Sequence, residues 1–460
     1  MKRAAIAKII RNFKPQSMSD MSVSIIGAGL AGCEAAWQLV SRGVPVRLYD
    51  MKPLRMTPAH TSPLLAELVC SNSLRSDRLQ NAAGLLKEEM RRLGSLVMEA
   101  ADLARVPAGG ALAVDRALFS GYITHKLKEH PLVTFISEEV TDFPQPPAII
   151  ASGPLTSQAL SEGIMALPDV GILHFYDAAA PIVSRDSIDM SRAFKASRYG
   201  RGDDYINCPM DETQYKAFHQ ALIAAETAPI HGFEETAVFE GCMPIESLAR
   251  RGEMAIAFGP LKPVGLIDPR TGKQPFAVLQ LRQDDASDTL YNLVGFQTRL
   301  KFPEQRRVFG MIPGLENVQY ARYGVMHRNT FLHSPGFLDA HFQMISRPGI
   351  FFAGQMTGVE GYVESAASGL FSGLNMARLM LGQPMLDLPS STATGALARY
   401  ISTFNRHFQP MNITFGLMDP IKSKAKSKEE HCLQVSSKAL QAIDNIRQFA
   451  LANTGGSDGT

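Results

Sequence analysis

Two sets of residues in this chain have types and spacing that suit chemistry. The first is Gly27-Ala28-Gly29-Leu30-Ala31-Gly32. The apolar run Val23–Ile26 ahead of it reads as a buried strand. Apolar residues then recur at Leu30, Cys33, Trp37 and Val40, as on one helix face. Gly43 suits the position past that helix, and residues 44–49 read as a second strand ending at Asp50. In such a unit Gly27 turns tightly, Gly29 lets a pyrophosphate approach the backbone, and Gly32 lets helix pack on strand. The helix N-terminus offers free N–H groups to phosphate, and Asp50 is placed for ribose hydroxyls. A bound dinucleotide is therefore expected. The second set is the cysteines. Cys70 precedes Ser71-Asn72-Ser73, a run suited to turns and caps. Cys242 precedes Pro244, which suits the first turn of a helix, with Glu246 at its third position and Ile245, Leu248 and Ala249 on an apolar face. A thiol just ahead of a helix is biased toward thiolate. A cysteine merely packed near a turn is the other reading. Cys208 reads as a structural cysteine at a strand end, Cys33 as core and Cys432 as incidental.

The elements that must position these residues need more than one core. A chain of 460 residues implies two or three domains. Hydrophobic content of 45% with 20% charged residues is ordinary for a globular protein. No apolar run approaches the ~18 residues that span a bilayer, so no membrane contact is expected. Five cysteines without regular metal spacing suggest neither a disulfide framework nor a metal site, and favour a reducing, cytoplasmic location. A net charge of +2 gives no warrant for nucleic acid, so any such contact must come from local patches.

Along the chain, residues 1–20 are basic and broken by Lys8, and are expected to be a disordered extension or to precede the true start at Met18 or Met21. Residues 82–103 read as one amphipathic helix, and Asp115-Arg116 opens another through Lys128. Residues 132–137 and 148–151 read as strands, so alternating elements predict a parallel sheet with helices on its faces. The texture changes near Phe194. Residues 205–210, 255–258, 276–281 and 291–296 read as strands or hairpins among Gly and Pro turns. A strand ending in glycine returns at 349–354, followed by a helix suited to close packing around Gly369 and Gly373. The expectation is an α/β fold with a Rossmann-like nucleotide domain split over 21–193 and 338–445. An α+β insertion fills 194–337, and 446–460 is a disordered tail.

Three motifs together resemble a known family. They are the GAGLAG loop, the strand-and-glycine run Ile149-Ile150-Ala151-Ser152-Gly153-Pro154, and Gly354-Gln355-Met356-Thr357-Gly358-Val359-Glu360-Gly361-Tyr362-Val363-Glu364-Ser365-Ala366-Ala367-Ser368-Gly369. The last pair, Gly354-Gln355, replaces the Gly-Asp of many FAD enzymes. These features resemble the folate- and FAD-dependent tRNA-modifying flavoproteins. Within that group the wobble-uridine branch carries a long helical C-terminal region not seen here. The branch of folate/FAD-dependent tRNA (uracil-5-)-methyltransferases is matched through Glu67-Leu68-Val69-Cys70-Ser71-Asn72-Ser73, Tyr205-Ile206-Asn207-Cys208-Pro209-Met210, Phe239-Glu240-Gly241-Cys242-Met243-Pro244-Ile245-Glu246 and His327-Arg328-Asn329-Thr330-Phe331. Asp50 stands where the pattern has Glu, keeping the acceptor with a shorter reach.

The resemblance implies FAD held by Gly27–Gly32, Asp50, Gly354 and Gln355, with 5,10-methylenetetrahydrofolate as carbon donor and NADH or NADPH as reductant. It implies Cys242 as the nucleophile on uracil C6 and Cys70 as the base for the C5 proton, a purely structural Cys70 being the rival. The implied partner is tRNA through its T-loop, with no obligate protein partner. Alternatives are a small-molecule flavin oxidoreductase, a non-catalytic RNA-binding flavoprotein, or a branch acting on ribosomal RNA. Basic groups at Arg75, Arg78, Arg91 and Arg92, at Arg192, Lys195, Arg198 and Arg201, and at Arg299, Lys301, Arg306 and Arg307 are candidate phosphate contacts. Each alone is more often a solvated face. Tyr199 and Tyr323 are available for base stacking. His327-Arg328 could read an extruded base or the folate.

Overall fold

The computed structural model describes residues 22–452 apart from 58, 169, 229–242, 407 and 423–424. The short apolar runs form one parallel five-stranded sheet, ordered Ile350–Phe352, Ala148–Ile150, Val23–Ile26, Val46–Asp50 and Val133–Ser137. Numbered along the chain this is the 3-2-1-4-5 order of a Rossmann half, whose strand order reverses at the first strand. The loops leaving Val23–Ile26 and Ala148–Ile150 therefore part at the sheet's carboxyl edge, where a ligand crevice forms. The last strand arrives from residue 350, so the sheet closes only after a long excursion.

Helix Leu30–Val40 packs on this sheet and against the long helix Tyr362–Met380. Their approach is close because two positions lack side chains. A Cβ on Gly369 would sit 2.1 Å from the Ala31 carbonyl oxygen, and one on Gly373 2.7 Å from the Ala35 Cα. The nucleotide half and its return segment share one core, drawn from Val23 to Leu167 and from Leu332 to Ile443.

A second core draws on Val183 to Leu315 and covers one face of an antiparallel six-stranded sheet. That sheet takes its first strand from Ile182–Ser184, ahead of the change of texture at Phe194. Alternation sends Leu279, Leu281, Tyr291 and Leu293 into the second core. The opposite face carries a cross-strand row: Tyr205 pairs with Arg282, Arg282 with Asn292, Asn292 with Ile182, and Ile182 with Arg322.

Three expectations change. Residues 82–103 form two helices, Ala82–Arg92 and Leu96–Leu103. Gly94, at φ +76°, ends the first, and the Ser95 hydroxyl caps the second by accepting from Met98 N. The apolar period runs through this break, which is why it read as continuous. Ala255–Phe258 is a helical turn, not a strand. Four apolar residues carry too little period to separate the two, and the alanines favour helix. The last helix, Lys428–Ala452, continues into the stretch read as a tail. The expected extension at 1–20 lies outside the described residues. Among the described residues, no helix is long and apolar enough to cross a membrane.

Candidate active site

The glycine loop has the geometry its spacing predicts. Gly27 takes φ +99°, and a Cβ there would lie 2.5 Å from the Ala151 carbonyl oxygen. A Cβ on Gly32 would lie 1.8 Å from the Gly27 oxygen, whereas one on Gly29 would meet nothing within 4 Å. Two glycines thus close the turn, and the third faces the groove. Asp50 ends its strand with Oδ2 accepting from Ala28 N at 3.1 Å and Oδ1 from Lys52 N at 2.8 Å. Gly354, at φ +88°, donates its N–H to Ser368 Oγ at 2.7 Å. The Gln355 amide donates to both oxygens of Glu360 at 2.8 Å. Gly27, Ala28, Gly29, Leu30, Ala31, Asp50, Gly354 and Gln355 line one solvent-open groove, and Gly32 packs directly behind it. Open space at Gly29, a helix N-terminus and a carboxylate at the strand end fit a dinucleotide such as FAD.

Cys70 stands at the edge of this groove, between Val69, which lines it, and Ser71. Its sulfur is half-buried and lies 3.7 Å from the Ala178 carbonyl oxygen. Side chains from far along the chain hold the surrounding backbone. Tyr362 Oη accepts from Cys70 N at 2.6 Å and from Ser71 N at 3.2 Å. The Arg282 guanidinium donates to Asn72 Oδ1 at 3.0 Å and Ser71 Oγ at 2.7 Å. Arg322 donates to the Val69 carbonyl, and Arg116 to that of Leu68 at 2.6 Å while pairing with Asp284 at 3.1 Å. The sheet row Arg282–Asn292–Ile182–Arg322 thus runs beneath Val69–Asn72. Burial pushes the pKa of Arg282 and Arg322 down, and Cys70 is among the groups opposing that shift in both. Negative charge on this sulfur and the two guanidinium cations would stabilise one another. Burial also pushes the Tyr362 phenol well up, keeping it neutral.

Cys242 lies outside the described residues. The helix after it runs Ile245–Ala249, with Pro244 at its N-cap instead of its first turn and Glu246 at its second position instead of its third. Its place is fixed by Ile245 N donating to Gln297 O at 2.8 Å. The buried Glu246 carboxylate accepts from Thr298 Oγ1 at 2.9 Å and Arg299 N at 3.0 Å. Cys208 lies within strand Tyr205–Met210, not at its end, and faces the second core, where burial pushes its thiol up to about 12. Cys33 and Cys432 are buried.

Most of the basic groups are already partnered. Arg91 and Arg92 pair with Asp102 and Asp444, Arg192 with Glu316, Lys301 with Glu226 and Arg307 with Glu304. Tyr323 is enclosed on both faces by Phe302 and Tyr320, so it offers no free face. Tyr199 sits at φ +62° with its ring against Gly265. The side chains of His327 and Arg328 lie outside the described residues. Reading the sequence passed over Tyr362, Arg116, Arg282 and Arg322 as site residues. Arg282 carried a signal, a charge within the apolar strand Ala277–Gln283, and Tyr362 stood inside the run Gly354–Gly369 without being given a role.

Residues 22–384 match the family model described as glucose inhibited division protein A. The chain is 58% identical over 431 residues to a Listeria monocytogenes protein named methylenetetrahydrofolate–tRNA-(uracil-5-)-methyltransferase TrmFO, covering 93% of this chain and 99% of that one. It is 56% identical over 431 residues to the Bacillus subtilis protein of the same name, with the same coverage. Among solved structures, Aquifex aeolicus GidA superimposes with a TM-score of 0.69 at 15% identity, over 93% of this chain and 73% of that one. The fold, a Rossmann-like FAD-binding domain interrupted by an inserted domain, is common to both. On the extent and level of this identity, the chain belongs to the TrmFO family of GidA-related flavoproteins.

Proposed function

We propose that this protein methylates uracil C5 in the T-loop of tRNA with 5,10-methylenetetrahydrofolate as the carbon donor. The observation that carries this reading is the meeting of the Cys70 block with Tyr362 at the mouth of the dinucleotide groove, which Val69 and Tyr362 both line. The names of the relatives support it. The nucleotide unit, which ends ahead of Ile182–Ser184 and resumes near residue 338, brings Cys70 and Arg116, and the second sheet between them brings Arg282 and Arg322 to the same place. Gly27–Ala31, Asp50, Gly354 and Gln355 would hold FAD, which, once bound and reduced by NADH or NADPH, supplies the hydride that converts an exocyclic methylene to methyl.

Uracil C5 is a poor nucleophile. Addition of the Cys242 thiolate to C6 moves the ring electrons toward O4, and C5 then attacks the one-carbon unit. Cys70, as thiolate, takes the C5 proton while the folate nitrogen departs. Arg282 and Arg322 favour the charged sulfur before that transfer. Tyr362 keeps the Cys70 backbone fixed so that the base does not drift from the ring. With the methyl complete, the C6–S bond breaks and Cys242 leaves as thiolate. The uridine must be drawn from its stack to reach both sulfurs.

Mass spectrometry of T-loop nucleosides tests this. Unmodified tRNA should gain a methyl with methylenetetrahydrofolate and NAD(P)H, and none with S-adenosylmethionine. A methyl found only on ribosomal RNA fragments would move the substrate to the other branch. No methyl on any RNA would return the protein to small-molecule oxidation. A Cys242→Ala protein that still forms a covalent adduct with 5-fluorouridine T-loop RNA would remove Cys242 from its role, and a Cys70→Ala protein should form the adduct but not complete the methyl.

A further inference from the structure

Three aromatic rings lie parallel, like stacked bases. Tyr320 and Tyr323 have centroids 4.7 Å apart at 11°, and Tyr323 and Phe302 4.5 Å apart at 18°. Tyr320 is half-buried at the inner end, and burial pushes its phenol well up. At the outer end Phe302 is 50% exposed, as expected of a ring with one face covered and the other open. Such a ring, the first residue of the helix Phe302–Phe309, is a costly surface to leave in water unless something covers it.

The surroundings select the cover. Arg306, exposed and one turn along the helix, lies 5.3 Å from the Tyr323 centroid and donates to the Tyr323 hydroxyl. No carboxylate pairs with it among the described residues, in contrast to Arg307 beside it. Among the described residues the Lys301 ammonium pairs with Glu226, an exposed contact that water and salt weaken. An open aromatic face with cations at its edge suits a nucleobase and its phosphate and does not suit an apolar peptide. The stack also adjoins segments that touch the Cys70 block and the helix Ile245–Ala249. Tyr323 follows Arg322, which grips the Val69 carbonyl beside Cys70, and Phe302 follows the 297–299 segment that anchors the helix behind Cys242.

We propose that the open face of Phe302 stacks an unpaired base of the RNA, with Arg306 on the adjoining phosphate, extending the three-ring pile by one member. This rests on the reading of the substrate as RNA and adds where that RNA is held. A base held there would keep the strand in place while the target uridine is drawn toward the sulfurs.

Binding of flavin-loaded protein to an unmodified T-arm RNA, measured at several salt concentrations, tests it. Phe302→Ala should weaken binding by about 5- to 100-fold with the salt slope unchanged, while Phe302→Tyr should bind as the parent does. Arg306→Gln should instead lower the slope by about one. The chain has a single tryptophan, Trp37, so Phe302→Trp introduces a reporter whose emission should be quenched by the RNA. Parent-like affinity of Phe302→Ala at every salt concentration, or emission of Phe302→Trp unmoved by saturating RNA, would overturn the proposal. The tryptophan protein decides if the alanine protein loses its fold. Methyl transfer by the parent, assayed in parallel, separates the two claims: normal transfer with an indifferent Phe302→Ala removes the platform alone. Quenching and weakened binding without any transfer would support the platform and remove the reaction.

Discussion

The dinucleotide groove and the Cys70 site adjoin one another and are made in opposite ways. The groove is shaped by missing side chains: Gly27, Gly32, Gly369 and Gly373 each let backbone come closer than a Cβ allows, and Gly354 takes a left-handed φ of +88°. The Cys70 site is shaped by long side chains brought from afar, with Tyr362, Arg116, Arg282 and Arg322 converging on the five residues Leu68–Asn72. A backbone-built site tolerates no added atom, whereas one built from side chains tolerates no lost hydrogen bond. The first fails by overpacking and loses its cofactor; the second fails by leaving buried polar atoms without partners and loses its chemistry.

The largest effect is expected in the groove. Gly32→Ala places a methyl against the Gly27 carbonyl, where neither backbone segment can yield. It should destabilise the protein by about 3 kcal/mol and yield colourless preparations, read by thermal melts and flavin absorbance. Retained yellow colour would mean that the turn can open, and would blur the contrast. Next comes Arg282→Met, which removes the donors to Ser71 Oγ and Asn72 Oδ1 beneath Cys70. A cost of about 2 kcal/mol is expected with flavin retained and methylation reduced at least tenfold. Flavin loss instead of activity loss would show that the two sites are one.

A tie inside the nucleotide half tests whether buried charge matters there too. Glu89 is buried and accepts from Ala393 N at 2.7 Å, Thr394 N at 2.9 Å and Thr394 Oγ1 at 2.9 Å, joining the first segment to the second. Burial pushes its pKa up to about 7. The folded state therefore holds a proton that the unfolded chain releases near 4.5. Its contribution is fully present below that pH and fades as pH rises through 7. Relative to the parent, Glu89→Gln should gain stability over this window, by about 3 kcal/mol at most, in denaturant titrations at successive pH values. A constant difference across the window would show that the three donors keep the carboxylate charged throughout. The smallest effect is expected at Arg307→Gln, which breaks only an exposed pair with Glu304. Stability should move by less than about 0.5 kcal/mol.

How much was legible in the sequence follows the same division. The groove could be read because its parts are local: a glycine's position relative to strand and helix is set within ten residues, and Asp50 lies one helix away. Gly369 and Gly373 announced close packing before their partner was known. The break at Gly94 and the helical turn Ala255–Phe258 were missed because apolar period is blind to a single left-handed residue and to very short elements. Tyr323 was singled out for stacking, yet the fold encloses it and leaves the open face to Phe302.

The residues around Cys70 belong to the other kind. From sequence alone came the α/β class, the split nucleotide unit and the glycine loop with its acid, since strand and helix periods and backbone-permissive residues act over short range, whereas the two cysteine blocks drew their meaning from the family resemblance. Only the tertiary structure decided that Tyr362 would grip the Cys70 backbone, that strand register would line Arg282 and Arg322 beneath it, and which aromatic ring would face outward. Those choices depend on which strands pair and in what register, and pairing across more than two hundred residues leaves no periodic mark on any one of them.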